Sequence, residues 1–534
     1  MKKKLFNGEF NKELLIKCVV ALLFPALLCI VYCAVRGIGI SELFLPASYN
    51  NDCVFYYKQI EGILKGGIPV GYFGFDESRA AVGGLAAWSP LIYFPWIVWG
   101  RIFGWNFASV LVCNVVLFGI ALAVFTLLTK PGTVNYIISL LALALFPSLP
   151  IHLLNALPEA VVASVFIVFL GLSIKICEYS IGKNDGNKQN KKYLTAYIVA
   201  AFVFGAFLTI IRPYMIVFLA VPIYVLIKAY GKKMIAVSAL ILFAVIVAYV
   251  LITKFFTADY FSPLFDTGIV KLLLKGKIGE AFWTTVSVLK TMTAGIAGFI
   301  GSAFKFGSTA GTQYVMAIIG LIVSGVLVFD KESKERKPVY LVYFIALILL
   351  LGAIVLFLQK SNEGARHLWI FAIAGCLILP ETVKVNIPVY ALKGVSIVLL
   401  IIFIARGSLV PTDYDIPVGT PELRSNIEEW KEAFKALEVD KKATDGFENT
   451  VAWVFVDYDN GDMIVTEYAP LYVLPAGMGI SCCYPDHILA DIDSVKCRYI
   501  YTDAKGEVAK LCEEKNMNIV AKVGDTVIYE RVHE

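Results

Sequence analysis

In the apolar first 410 residues of this 534-residue sequence, side chains able to do acid, base or phosphate chemistry stand out in short clusters. Asp52 ends Tyr49-Asn50-Asn51-Asp52, and Asp76 and Glu77 stand together in Gly74-Phe75-Asp76-Glu77-Ser78-Arg79. Asn155 and Glu159 bracket Asn155-Ala156-Leu157-Pro158-Glu159, Arg212 opens Arg212-Pro213-Tyr214, and Arg366-His367 follows Lys360 and Glu363. A carboxylate fixed beside an acceptor hydroxyl can serve as general base. A guanidinium can grip a phosphate at two points and offset the charge that grows on it as it departs.

Each cluster also has an ordinary structural reading. Cys53 to Lys65 places Val54, Tyr57, Ile60 and Leu64 on one side of a helix and Lys58, Glu61 and Lys65 on the other, ended by Gly66-Gly67 and Pro69. Asp52 is then its N-cap, a position that also orients the side chain. Glu77 can orient an acceptor hydroxyl, help hold a divalent cation, or simply pair with Arg79. Glu159 after Pro158 is what a helix start favours. Terminal arginines such as Arg212 and Arg366 can snorkel to lipid headgroups, and a lone interfacial His367 is commonly a hydrogen-bonded structural residue. No metal-ligand spacing, nucleophile elbow, Walker loop, dinucleotide fingerprint or nucleic-acid motif is present in the sequence.

The elements that must position these residues are membrane helices. The chain is 58% hydrophobic and 17% charged, with mean hydropathy +0.74, where a soluble protein carries about 25% charge. Apolar runs of the roughly 20 residues that cross a bilayer recur from Leu14 to Leu409 and then stop. The first, Leu14 to Val35, is too long for a signal h-region and is read as a retained span. Residues 411–534 hold 24 Asp and Glu against 12 Lys and Arg, leaving 35 Lys and Arg against 18 Asp and Glu in residues 1–410. A basic portion beside lipid phosphates and an acidic portion in water account for that split.

Basic clusters at Lys2–Lys4, Lys183–Lys192, Lys228–Lys233 and Lys331–Lys337 are assigned to the cytoplasm by the positive-inside rule. The runs 14–35, 106–129, 134–153, 158–178, 193–211, 213–230, 234–254, 313–330, 338–358, 366–383 and 388–409 satisfy that assignment together. The expected fold is mainly α, a polytopic membrane protein of about eleven spans with a cytoplasmic N-terminus and an extracytoplasmic C-terminal domain. Trp88–Gly104 and Val286–Phe304 break this parity as single crossings and are read as external, interfacial or re-entrant helices. Asp52, Asp76, Glu77, Asn155, Glu159, Arg212, Lys360, Glu363, Arg366 and His367 then all reach the outer face. The middles of the spans hold almost no ionisable group, against the usual pattern of a coupled transporter.

Taken with Trp88-Ser89-Pro90-Leu91 and Phe103-Gly104-Trp105, these motifs resemble the GT-C superfamily of membrane glycosyltransferases, which includes protein O-mannosyltransferases and aminoarabinose transferases. The likeness covers residues 14–409, within a membrane domain of residues 1–410. It implies an extracytoplasmic enzyme that transfers a hexosyl or pentosyl group, with inversion, from a polyprenyl-phosphate donor to a cell-envelope glycan, lipid or protein. It places the catalytic carboxylate in the first external loop, residues 41–87. Asp52 is the base so implied, with Glu77 as a second catalytic acid. Arg212, Arg366 and His367 then bind the donor phosphate, and Asn155, Glu159 and Asp76 line the cavity. The family motif is often two adjacent acids, whereas Cys53 follows Asp52 here. The expected partners are the lipid-linked sugar, its acceptor and the bilayer, without nucleic acid, and a divalent cation is possible.

Residues 411–534 read as a small soluble α/β domain, with helices at Pro421–Glu438 and Lys505–Asn516 and strands at Val451–Val456, Arg498–Tyr501 and Thr526–Glu530. Cys482, Cys483, Cys497 and Cys512 fall in it with no spacing that dictates pairing. Two other functions fit the same composition: a flippase for a lipid-linked substrate, which needs a polar path through the bilayer, and a membrane scaffold that presents the C-terminal domain.

Overall fold

A computed structural model describes residues 12–35, 37, 39, 52–66, 75–77, 89–146, 148–181, 188–256, 266–306, 309–330, 334–378, 380, 421–440, 446–467 and 469–531. The run 388–409, the cluster Lys2–Lys4, the boundary at 410–411 and the loop 41–87 outside residues 52–66 and 75–77 lie outside the described residues.

The helices follow the apolar runs. They are α1 (Lys12–Val35), α2 (Asp52–Gly66), α3 (Phe94–Phe103), α4 (Ser109–Thr129), α5 (Thr133–Ala144), α6 (Ser148–Leu153), α7 (Glu159–Ile181) and α8 (Lys188–Ile211). After a 3-10 turn at Pro213–Leu219 come α9 (Ala220–Tyr230), α10 (Met234–Phe256), α11 (Gly268–Leu274), α12 (Ile278–Phe306), α13 (Thr309–Phe329), α14 (Lys337–Ala353) and α15 (Ser361–Ile378). Among the described residues nine helices are long and apolar enough to cross a membrane, and the chain is a multi-pass membrane protein. Eight of the nine coincide with expected spans. The expected run 134–153 is instead divided into α5 and α6, because Pro147 disfavours helical geometry at Phe146 before it.

Two ends of the bundle are chemically distinct. At one, Lys17 Nζ donates to the Pro131 carbonyl at 2.9 Å, the Tyr136 hydroxyl to the Lys17 carbonyl at 2.6 Å, and Arg336 pairs with Glu178 at 2.7 Å. The starts of α1, α5 and α14 and the ends of α4 and α7 therefore meet there. Asp52, Glu159, Arg212 and Arg366 meet at the other end. Within the bundle, α1 and α4 approach so closely at Gly119 that an added Cβ would lie 2.3 Å from the Leu22 carbonyl, the close contact that small residues permit between membrane helices.

The ninth long helix is α12, which contains the Val286–Phe304 stretch. Just before α11, the Asp266 amide donates to the Phe357 carbonyl (2.7 Å) and its side chain accepts from Gln359 (3.2 Å). Further along, Gly295 faces Ser361, and the Phe299 carbonyl faces Gly311 near the start of α13. Its approach and its second half are thus held to the same end of the bundle. Ile278, Phe282, Trp283, Val286 and Leu289 form an exposed apolar stripe on α12, the form of an interfacial helix.

The C-terminal domain is a five-stranded sheet with helices on both faces. Its strands are β1 (Thr450–Val454), β4 (Gly479–Cys483), β5 (Tyr499–Asp503), β6 (Asn518–Val523) and β7 (Thr526–Glu530), in the order β4-β1-β5-β7-β6; β2 (Val456–Asp459) and β3 (Asp462–Val465) form a separate hairpin. β1 is parallel to β4 and β5, whereas β7 is antiparallel to β5 and β6. Alternation sends Val451 and Trp453 to one face, with Trp430 and Phe434 from α16 (Pro421–Ala433) and the turn after it. Ala452 and Val454 point to the other, with Ile488 from α17 (Pro485–Ala490) and Val508 and Cys512 from α18 (Glu507–Glu514). The strand expected at Thr526–Glu530 is present with those ends, the other expected strands and helices have shifted ends, and β2, β3, β4, β6 and α17 are additional.

Candidate functional site

Four charged side chains form a continuous chain at one end of the bundle. Arg212 Nη2 donates to Glu159 Oε1 at 2.9 Å, Arg366 Nε approaches the same oxygen at 3.2 Å, and Arg366 Nη1 donates to Asp52 Oδ2 at 3.1 Å. Side-chain exposure rises along it: 0% for Arg212 and Glu159, 15% for Arg366 and 36% for Asp52. A ligand arriving from solvent can therefore reach Asp52 and Arg366 and not the other two. The two carboxylates and two guanidiniums balance in formal charge, the condition under which buried ions are tolerated.

Local sequence explains each position. Asp52 opens α2, as the capping reading expected to within the usual one-residue ambiguity of helix ends. Arg212 is extended (φ −135°, ψ 99°) before Pro213, as the residue preceding proline tends to be; this ends α8 and turns the guanidinium inward. Glu159 opens α7 behind a turn in which Asn155 Oδ1 accepts from the Leu157 amide at 2.9 Å. Asn114 of α4 fixes that turn by donating to the Asn155 carbonyl at 2.9 Å, and Trp96 Nε1 donates to Asn114 Oδ1 at 2.8 Å. Arg366 and His367 lie in the second turn of α15. The His367 ring approaches the Tyr214 hydroxyl at 3.4 Å and meets that ring edge-on at 5.7 Å.

The expected residues separate into two groups. Asp52, Glu159, Arg212 and Arg366 are brought together, with His367 beside them through Tyr214. Arg212, expected alongside Arg366 at a donor phosphate, lies instead behind Glu159, because its charge is satisfied inside the fold. Asn155 is fully buried, and its side-chain oxygen closes the turn before Glu159. Asp76 and Glu77 are elsewhere: Asp76 Oδ1 accepts from the Tyr484 amide at 2.9 Å, and the Glu77 carboxylate accepts from the amides of Lys496 (2.9 Å) and Cys497 (2.6 Å). At 3% exposure, with its oxygens taken by the C-terminal domain, Glu77 is not available as a second acid beside Asp52. Lys360 and Glu363 pair with each other at the surface at 3.0 Å.

Several neighbours escaped the sequence reading. Tyr56 lies one turn beyond Asp52 and is buried, in the i, i+4 relation that puts two side chains on one helix face. His152 stacks on Trp369 with ring centroids 4.5 Å apart, and its Nδ1 lies 2.9 Å from the Ser148 carbonyl. Trp369 follows Arg366 by three residues, the same-face spacing that could have flagged it; for His152 the sequence holds no such signal. On the polar side of α2, Lys58 and Glu61 are covered rather than solvated, whereas Lys65 stays exposed. Lys58 donates to Glu61 and to the Leu474 carbonyl, and Lys65 meets Glu61 at 2.5 Å. Burial pulls the Lys58 ammonium below its usual pKa, and Glu61 offsets only part of that. Burial pushes the Glu61 carboxyl up, but Lys58 and Lys65 outweigh it and hold the group below the usual range.

Among the described residues, no group of three or more His, Cys, Asp or Glu side chains converges on a point where a metal ion would sit. Both carboxylates of the charged chain face guanidiniums, whose positive charge repels a second cation, so these residues do not fit a divalent ion.

No family model matches the chain, and no curated protein matches it. Among solved structures it is similar to the Archaeoglobus fulgidus oligosaccharyltransferase in the apo form, with a TM-score of 0.48 and 13% identity over 93% of this chain and 70% of that one. The same archaeal enzyme tethered with an acceptor peptide containing the NVT sequon gives a TM-score of 0.47 and 12% identity over 93% and 69%. ArnT from Cupriavidus metallidurans bound to undecaprenyl phosphate gives 0.43 and 11% over 96% of this chain and 97% of that one.

Proposed function

We propose that the protein is a membrane glycosyltransferase that moves a sugar from a polyprenyl-phosphate donor to a hydroxyl of an extracytoplasmic glycan, lipid or protein. The observation that carries this reading is the graded charged chain: a part-exposed carboxylate, Asp52, touches an arginine, Arg366, that Glu159 and Arg212 anchor from the protein interior. The donor phosphate takes up the outer edge of Arg366, with His367 and Tyr214 beside it and the lipid tail among the spans. Asp52 removes the proton of the acceptor hydroxyl as its oxygen attacks the anomeric carbon from the face opposite the phosphate. The bond from that carbon to the phosphate oxygen breaks, polyprenyl phosphate leaves with the electron pair, and the anomeric centre inverts.

The Asp52–Arg366 contact gives the sequence of events a direction. Arg366 Nη1 donates to Asp52 Oδ2 at 3.1 Å, so the oxygen that would take the acceptor proton is engaged while that contact stands. Donor phosphate competes for the same guanidinium edge and releases Asp52 when the acceptor is to be activated. Arg366 keeps its place during that exchange, because its Nε remains on Glu159. A flippase reading finds no support in this arrangement, since the charged chain is confined to one end of the bundle.

Purified protein in lipid nanodiscs, given a polyprenyl-phosphate sugar and candidate acceptors, tests the reading directly. Asp52→Asn is expected to lower transfer by about 10²–10⁴-fold, the usual share of a positioned general base. Arg366→Ala is expected to lower both transfer and donor binding. Undiminished transfer by Asp52→Asn would remove it as the base.

A further inference from the structure

We propose that Lys58 and Glu77 are positioning residues, which fasten the first external loop to the C-terminal domain at two points and so hold α2, with Asp52 at its start, against Arg366. The helix is a wedge between two bodies. On the membrane side Tyr56 meets Tyr93 (5.8 Å) and Tyr57 meets Trp105 (5.2 Å) and Phe107 (6.0 Å); on the other side Tyr57 meets Tyr472 (5.2 Å) and Phe55 meets Trp453 (6.5 Å). Aromatic contacts of this kind resist separation but leave freedom to slide. Lys58 supplies direction, because its ammonium, 3% exposed, donates both to Glu61 within the helix and to the Leu474 carbonyl of the C-terminal domain. Lys58 follows Asp52 by six residues, about 9 Å along a helix, so a shift at one is felt at the other.

The second point fixes the loop downstream of α2. Phe75 pairs with Cys482 as an extra strand residue on the exposed edge of β4, and the Asp76 amide donates to the Cys482 carbonyl at 2.8 Å. Covering that edge also removes a site for unwanted strand pairing. Asp76 and Glu77 both take left-handed backbone conformations (φ 49° and 54°), which non-glycine residues keep only when their surroundings dictate it. Here the surroundings are the Glu77 carboxylate on two backbone amides, with His487 Nε2 at 3.2 Å, and the Glu77 amide donating to Ser481 Oγ at 3.1 Å.

The effect on turnover rests on the transferase reading, whereas the clamp concerns only where α2 sits, so two measurements separate them. Hydrogen exchange of residues 52–66 and 361–378 is followed in the full chain for wild type, Lys58→Met and Glu77→Gln, alongside kcat and donor KM. In each variant exchange in 52–66 is expected to rise about tenfold with 361–378 unchanged. Turnover is expected to fall about 10–100-fold, the scale of an ångström-level misplacement, while donor KM moves less than about threefold because Arg366 stays anchored. Unchanged exchange in 52–66 overturns the clamp. Equal loosening of both helices also overturns it, since the contacts would then serve the whole fold, and faster exchange with wild-type turnover overturns the positioning role. If wild type transfers no sugar, the transferase reading fails while the exchange measurement still decides the clamp.

Discussion

Helix α7 carries a glutamate near each end, and the two lead different lives. Glu159, its first residue, is fully buried between Arg212 and Arg366. Glu178, 19 residues on and hence about 28 Å away, close to the thickness of a hydrocarbon core, is 24% exposed and paired with Arg336 at 2.7 Å and 3.0 Å, with Lys175 at 3.9 Å. Both sites join segments distant in sequence, yet only the first places ions wholly inside protein. Burying them carries a desolvation cost that hydrophobic packing would avoid. A pair retained at that cost calls for a purpose beyond stability, and anchoring Arg366 beneath Asp52 supplies one. The Glu178 site needs no such purpose, because basic residues gather at that end of the bundle and water reaches it.

The largest loss is expected at Glu159. Glu159→Gln removes the carboxylate to which Arg212 donates at 2.9 Å, and loss of one partner of a buried pair costs about 3–5 kcal/mol. Thermal unfolding in detergent should show this as a large fall in midpoint, and transfer should fall with it because Arg366 loses its inner anchor. A midpoint equal to wild type would mean that the two ends of α7 are equivalent after all.

Arg366→Lys is expected to make a smaller change. Lysine keeps the positive charge but cannot span two carboxylates in the fixed fork of a guanidinium. It can serve Glu159 or Asp52 in one geometry, not both. Transfer is expected to drop about tenfold or more while the unfolding midpoint changes by less than in Glu159→Gln, whose effect on the buried cation is absent here. Equal transfer by lysine and arginine would show that only charge matters at this position.

The membrane fold was legible because its signal is additive over many residues: eight long apolar helices fall on runs visible in the sequence, and basic clusters indicate which ends share a side. That Asp52, Glu159, Arg212 and Arg366 share one end of the bundle was legible for the same reason, since helix parity places residues on a face. Parity says nothing of depth, so it could not tell that Glu159 lies between the arginines or that Arg212 is behind it. Nor could it separate Asp52 from Glu77, two acids of one loop whose fates depend on contacts with residues more than 300 positions away. In the C-terminal domain, β4 is short and contains glycine and two cysteines; its strand character comes from pairing with β1. The β2–β3 hairpin is different, because Asn460-Gly461 is a strong turn signal, and both residues adopt the positive φ it requires (50° and 88°).

The mildest test addresses the exposed end of α7. Glu178→Gln removes one carboxylate from a part-buried site, 24% exposed at Glu178 and 17% at Arg336, where water can partly replace it, so the cost should be smaller than at the wholly buried Glu159. The unfolding midpoint should move little, and transfer should be unchanged within about twofold, since the site lies on the far side of the bundle from Asp52. Raising the salt concentration should shrink even that small difference, because screening acts on accessible charges and hardly on buried ones. The same salt series applied to Glu159→Gln should leave its defect in place. If both defects faded together with salt, burial would not be what distinguishes the two glutamates, and the anchoring role given to Glu159 would have to rest on its position alone.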